Sequence, residues 1–216
     1  ITVAAKLGAP DPDQNARLRS AIQVAKASSF PKENIDRAIK KSLDKDTVNY
    51  DQMRYEGFGP NGTSIIVEAL TDNRNRTASN VRSAFQKFGG SMGETGSVSH
   101  AFNHYGFVRY KKDVTSEEDF FNFSIEGGAE DCFIEEDTYE AVSTPETLSN
   151  LYNYLDKKFG EPVSSGFQWK PVTYVAIEGD KLKSLINLLN ELDNDEDVQQ
   201  VFSNFEASDE ELAKFA

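Results

Sequence analysis

The spacing of apolar residues changes several times along the chain, and each change marks a structural element. Leu18, Ile22 and Ala25 recur at i, i+4 and i+7, with Arg19 and Lys26 on the neighbouring face, which predicts a helix of roughly four turns. Asp11-Pro12-Asp13 is read as its start, since a proline in the first turn gives up an N–H that has no helical partner. Residues 1–8 end an earlier helix at Gly8, and Phe30-Pro31 opens a third, with Ile35, Ala38 and Ile39 as its apolar stripe. Residues 42–53 lack periodicity and read as a linker. Ile65-Ile66-Val67 then forms a continuous apolar run, which predicts a strand over 64–70 buried on both faces. A polar turn, 71–77, offers Asp72, Asn73 or Asn75 as the cap of a helix that carries Val81, Phe85 and Phe88 on one face and stops at Gly89-Gly90. A strand over 97–102 follows the glycine-rich loop.

From Gly106 the alternation restarts. Strand 107–110, helix 116–126, a hairpin of 131–136 with 139–143, helix 145–159 and strand 162–169 give the order βαββαβ. Strand 172–178, helix 180–192 with Leu182, Leu185, Ile186 and Leu189 inward, and strand 198–205 remain. Alone, that βαβ buries its faces poorly; joined to the strand, helix and strand of 64–102 it makes a second βαββαβ. The expected fold class is therefore α+β: a small helical domain at 1–50 and two ferredoxin-like domains, one inserted in the other. The split domain takes 54–104 with 172–208, the insert takes 105–171, and 209–216 is an acidic tail. Two domains in sequence are the alternative.

Charge changes this picture by segment rather than in total. A net charge of -13 argues against a polyanionic partner, but residues 1–41 hold eight Lys/Arg against four Asp/Glu, while residues 111–216 hold eight against twenty-five. Arg17, Arg19, Lys26, Lys32, Lys40 and Lys41 on the helical domain are thus candidate phosphate contacts. Asn73, Arg74, Asn75, Arg76 and Thr77 form a second candidate, because two guanidiniums at a helix N-terminus add fixed charge to its dipole. The competing reading pairs those arginines with Glu56, Glu68 or Asp72. Ser91, Met92, Gly93, Glu94, Thr95 and Gly96 lie in a loop read as a mobile functional surface element. The runs Asp193–Asp197 and Asp209–Glu211 read as solvated charge.

Other chemistry finds little support. Gly57-Phe58-Gly59-Pro60-Asn61-Gly62 spells GxGxxG, but it precedes a strand instead of opening a helix, and Pro60 lacks an N–H; it reads as a loop feeding that strand. His100 and His104 have neither the HExxH context nor a third ligand and read as ordinary strand residues. A single Cys132 excludes an internal disulfide. No nucleophile, base and orienting group fall together, so no catalytic residue, metal, cofactor or small-molecule substrate is expected, and no membrane partner. Ile1 begins inside a helical pattern, which predicts upstream residues, a targeting segment among the candidates.

The segments AAKLGAPDPDQNARLRSAIQVAKASSFPKENIDRAIKK, YEGFGPNGTSIIVEALTDNRNRTASNVRSAFQKFGGSMGETGSVSHAF and DEDVQQVFSNF closely resemble the YebC/PmpR family, whose mitochondrial branch includes the translational activator of cytochrome c oxidase subunit I. DNRNRT and GGSMGETGSV carry the resemblance most specifically. It departs at the N-terminus, where family members carry a basic segment that this chain lacks, and it is loose in the insert. The resemblance implies a three-domain, non-enzymatic regulator of gene expression. Members are described both as DNA-binding transcriptional regulators and as translation factors that act with the ribosome on difficult stretches such as proline-rich ones. It implies DNA, ribosomal RNA or mRNA, and the ribosome as partners, with the bacterial cytoplasm, or alternatively the mitochondrial matrix, as the location.

Overall fold

The computed structural model describes residues 1–43 and 50–215; 44–49, inside the expected linker, and 216 lie outside the described residues. Three helices come first: α1 (Thr2–Leu7), α2 (Ala16–Ala27) and α3 (Lys32–Lys41). Next come β1 (Asp51–Phe58), β2 (Ser64–Thr71), α4 (Arg74–Lys87) and β3 (Ser91–Met92). The following run is β4 (Phe102–Lys111), α5 (Glu117–Glu126), β5 (Asp131–Ile134), β6 (Thr138–Ser143), α6 (Leu148–Phe159) and β7 (Ser164–Pro171). The chain closes with β8 (Val175–Ala176), α7 (Gly179–Asp193), β9 (Val198–Ser203), β10 (Phe205–Glu206) and α8 (Asp209–Leu212). The architecture is α+β with antiparallel main sheets, and it divides into two compact units.

One unit joins the helical segment to His104–Gln168. Its sheet runs β5-β6-β4-β7, which places the second, third, first and fourth strands of βαββαβ side by side as in a ferredoxin-like sandwich. Phe120 and Phe123 of α5 and Leu151 and Leu155 of α6 pack over Val108, Tyr110, Tyr139 and Ala141. The helical segment is not freestanding. Ala16 packs on that core, the Ser165 hydroxyl donates to Gln23 at 2.8 Å, and Lys26 meets Glu161 at 2.6 Å. The second helix also starts later than its sequence predicts: Asn15 caps it by accepting from the Leu18 N–H at 3.0 Å, and Asp11 to Gln14 form a turn. An asparagine cap that satisfies an orphan N–H outcompetes a proline start.

The other unit holds the strands on either side of the insert. Its sheet runs β3-β1-β2-β9 with every neighbour antiparallel. This is the ferredoxin-like order with one exchange, because the third place belongs to β1, which precedes the first strand in sequence. β1 was hidden within the expected linker and glycine-rich lead-in. The expected strand over 97–102 is a 3₁₀ turn at Ser99–Ala101 that extends only from Phe102, and the expected strand over 172–178 shrinks to β8, paired with β10 outside the main sheet. Locality accounts for the exchange: a hairpin from Phe58 to Ser64 closes a far shorter loop than a partner a hundred residues away. Tyr55, Ile65, Val67 and Ala69 face α4 and α7, where they meet Val81, Phe85, Leu182, Leu185, Leu188 and Leu192. The acidic tail is not simply solvated. Leu212 and Phe215 pack against this core, and Glu211 accepts from the Gly179 N–H at 3.2 Å at the start of α7.

The sheet's second face is also covered. Ile66 packs with Val98, Ala101 and Phe102, flanked by Trp169 and Phe202. The Trp169 indole N–H donates to Glu68 at 3.0 Å, and the Arg54 guanidinium lies 4.9 Å over its ring.

Candidate nucleic-acid interface

The helical cations separate into two kinds. Arg37 and Lys40 lie on the side of α3 away from the buried Ile35 and Lys32 is exposed in its first turn; none of the three has a carboxylate partner among the described residues, and Lys41 is exposed as well. Arg17 is exposed with its guanidinium 5.7 Å over the Phe167 ring, and Lys26 is held by Glu161. Arg19 differs. It is only 6% exposed, donates to the carbonyls of Pro12 and Asp13 at 3.0 and 2.9 Å, and stacks 3.9 Å over Tyr152. Its charge closes the 11–14 turn and is shielded from any phosphate, which removes it from the candidate contacts.

The turn from Asn73 to Thr77 is a corner held by a carboxylate far along the chain. Asn73 caps α4, its side chain accepting from the Arg76 N–H at 3.1 Å. Thr77 is fully buried and donates its hydroxyl to Asp197 at 2.6 Å, as Thr71 does at 3.1 Å. Arg76 bridges Asp197 at 2.8 Å and Asp72 at 3.0 Å, while Arg74 pairs with Asp51 at 2.7 Å. Burial pushes the Asp197 carboxyl up, but the donors Thr77, Arg76 and Thr71 outweigh it and hold the group below its ordinary value. Asn75 remains exposed. Three carboxylates against two guanidiniums make this corner a poor anion seat. Of the carboxylates the sequence offers these arginines, only Asp72 is used; Asp197, expected as solvated charge, is 8% exposed and forms the centre of the corner.

The glycine-rich loop is anchored at both ends. Ser91 and Met92 pair with Phe58 and Gly57 in the sheet, and Met92 packs on the core. A side chain at Gly57 would strike Phe85 and the Ser91 carbonyl at 2.7 Å, so close approach explains that glycine. The Gly93 N–H donates to the Glu56 carbonyl at 2.8 Å, and the Glu56 carboxylate accepts from the Val98 and Ser99 N–H groups, both at 2.9 Å. Glu56 is 1% exposed. Burial pushes its carboxyl up, but backbone N–H groups of Val98, Gly96 and Ser99, with the Arg54 guanidinium, outweigh that and hold it low. Between these anchors Glu94, Thr95 and Gly96 are exposed, with Gly96 at φ +91°. Sequence reasoning placed Glu56 only as a partner for an arginine of the polar turn. Its signal was the alternation of Met53 and Tyr55 with Arg54 and Glu56, which marks β1 and puts the carboxylate on the face beneath the loop.

Gly57 and Phe58 end β1, and Gly59 to Thr63 turn the chain through a 3₁₀ turn at Pro60–Gly62 into β2 rather than into a helix. His100 is exposed in a 3₁₀ turn and His104 lies on β4 near Phe167. No cluster of three His, Cys, Asp or Glu suited to a metal occurs among the described residues, and no helix among them is long and apolar enough to cross a membrane.

Comparison with known proteins places the chain in a family. A family model described as the TACO1/YebC protein N-terminal domain matches residues 1–45, and one described as the TACO1/YebC second and third domain matches residues 50–205. Among solved structures, the crystal structure of the conserved hypothetical protein Aq1575 from Aquifex aeolicus is 40% identical, with a TM-score of 0.83 over 96% of this chain and 86% of that one. With the two family models together matching residues 1–45 and 50–205, and the same fold in a relative of that identity, the chain belongs to the TACO1/YebC family.

Proposed function

We propose that the chain is a non-catalytic regulator of gene expression that binds nucleic acid, acting on DNA as a transcriptional regulator. The observation that carries this is the set of exposed cations on α3: Lys32, Arg37 and Lys40 have no carboxylate partner among the described residues. Cations of this kind meet phosphates as point charges and release counterions. A second reading, a ribosome-associated factor that contacts RNA, is favoured by the fate of Arg74 and Arg76. Both guanidinium forks are committed to carboxylates, which leaves phosphate and shape recognition rather than base-edge readout. Fluorescence anisotropy against labelled duplex DNA and a ribosomal RNA hairpin, over a salt series, tests the proposal. Lys32→Ala with Arg37→Ala and Lys40→Ala should weaken binding and flatten the log-affinity slope by about 0.9 per lost phosphate contact. Unchanged affinity and slope would refute it, and tighter binding of one probe decides between DNA and RNA.

A further inference from the structure

The insert presents a surface of opposite character. From Asp113 to Asp156 the chain contains no Lys, Arg or His. Within this stretch three large apolar side chains remain about half exposed: Phe121 at 50%, Ile125 at 46% and Ile134 at 53%. The topology gathers them. Phe123 of α5 meets Phe159 of α6, and Gly127 abuts Tyr154, so that flank of α5 faces its neighbouring helix. Phe121 and Ile125, four residues apart on the other flank, look toward the open edge of the sheet. β5 is that edge, and Ile134 shares the face of β5 on which Cys132 packs into the core under the helices. Glu117 and Glu118 open α5, and Glu135, Glu136 and Asp137 follow β5 directly; all are exposed and without a cationic partner among the described residues.

We infer that the α5–β5 edge is a docking surface for a basic protein segment, extended in conformation, which adds as a strand to β5 and sets apolar side chains against Phe121, Ile125 and Ile134. Two features select this occupant. A free strand edge offers a row of backbone donors and acceptors to an incoming strand. The unneutralised carboxylates repel nucleic acid and complement Lys or Arg flanking an apolar centre.

The test uses the full chain and a fluorescein-labelled peptide of alternating Lys and Val, with an alternating Lys-Ser peptide of equal charge as control. The Lys-Val peptide should bind at least tenfold more tightly than the control and lose at least tenfold on Phe121→Ser with Ile125→Ser. It should also slow hydrogen exchange of the β5 amides in the unsubstituted chain, a readout that does not depend on how the variant folds. Equal binding of the two peptides, or binding that leaves β5 exchange unchanged, would overturn the inference. So would a concentration-dependent dimer in sedimentation that the same substitutions abolish, because the occupant would then be a second copy.

Discussion

Exchanging Glu56 for Gln removes one charge and hardly changes shape, so it isolates what the buried carboxylate does for the loop above it. Hydrogen bonds to a charged acceptor contribute about 1.5–3 kcal/mol each, and neutral ones about 0.5–1.5. For the bonds from Val98 and Ser99 the difference comes to roughly 2 kcal/mol. The new amide N–H₂ also faces the Arg54 guanidinium, 3.4 Å from the carboxylate in the native chain, which adds to the loss. Urea unfolding at pH 7 should therefore show Glu56→Gln less stable by about 2–3 kcal/mol. The sign with pH follows from a folded carboxyl held below its ordinary value of 4.5. The stabilisation is fully present above 4.5 and is lost as pH falls through the lower folded value, so the two unfolding curves should converge in acid. Hydrogen exchange at Val98 and Ser99 should speed up while the strand β2 amides keep most of their protection. A difference below about 0.5 kcal/mol at pH 7, with unchanged exchange in the loop, would refute the account of Glu56 as its anchor.

Three further outcomes are expected. Asp197→Ala leaves the buried Thr71 and Thr77 hydroxyls without their acceptor and should cost about 2–4 kcal/mol in urea unfolding, whereas Arg74→Ala with Arg76→Ala should leave the salt slope of nucleic-acid binding unchanged in anisotropy. Arg19→Ala removes two carbonyl-directed bonds and the stack on Tyr152 and should lower stability by about 2–3 kcal/mol by differential denaturation, with retention of the helices by circular dichroism.

The insert was legible because each of its elements carries a local signal. Ser116 caps α5, the hairpin of β5 and β6 is bounded by turn residues, and the leucines of α6 repeat at helical spacing. The helices of the split domain were legible for the same reason, from Val81 with Phe85 and from Leu182 with Leu185. β1 was obscured because its core-facing positions include Gly57, and a glycine lowers the contrast between apolar and polar faces. The expected third strand failed because Val172 and Tyr174, apolar by composition, stay more than half exposed. At the candidate site, charge type was readable and charge partnership was not. Arg74 finds Asp51 and Arg76 finds Asp197 only after the sheet and α4 have brought distant segments together. Arg19 looked like a surface cation by helical phase, yet the turn before its helix folds back onto it.

The exchange of strands in the split domain also sets an order of assembly. On a chain made from its N-terminus, β1, β2, α4 and β3 emerge first, then the whole insert, and only afterwards α7 and β9. Until then Ile65 and Val67 have only the α4 side of their cover, Val81, Ala84 and Phe85, and none of the α7 leucines, and the Thr71–Thr77 pair waits for a carboxylate 120 residues away. The insert has all of its strands in one continuous stretch and needs nothing downstream. A nascent chain therefore passes through a stage in which the insert can close while the domain around it stays open, its pinned loop seated on a sheet that still lacks its last strand.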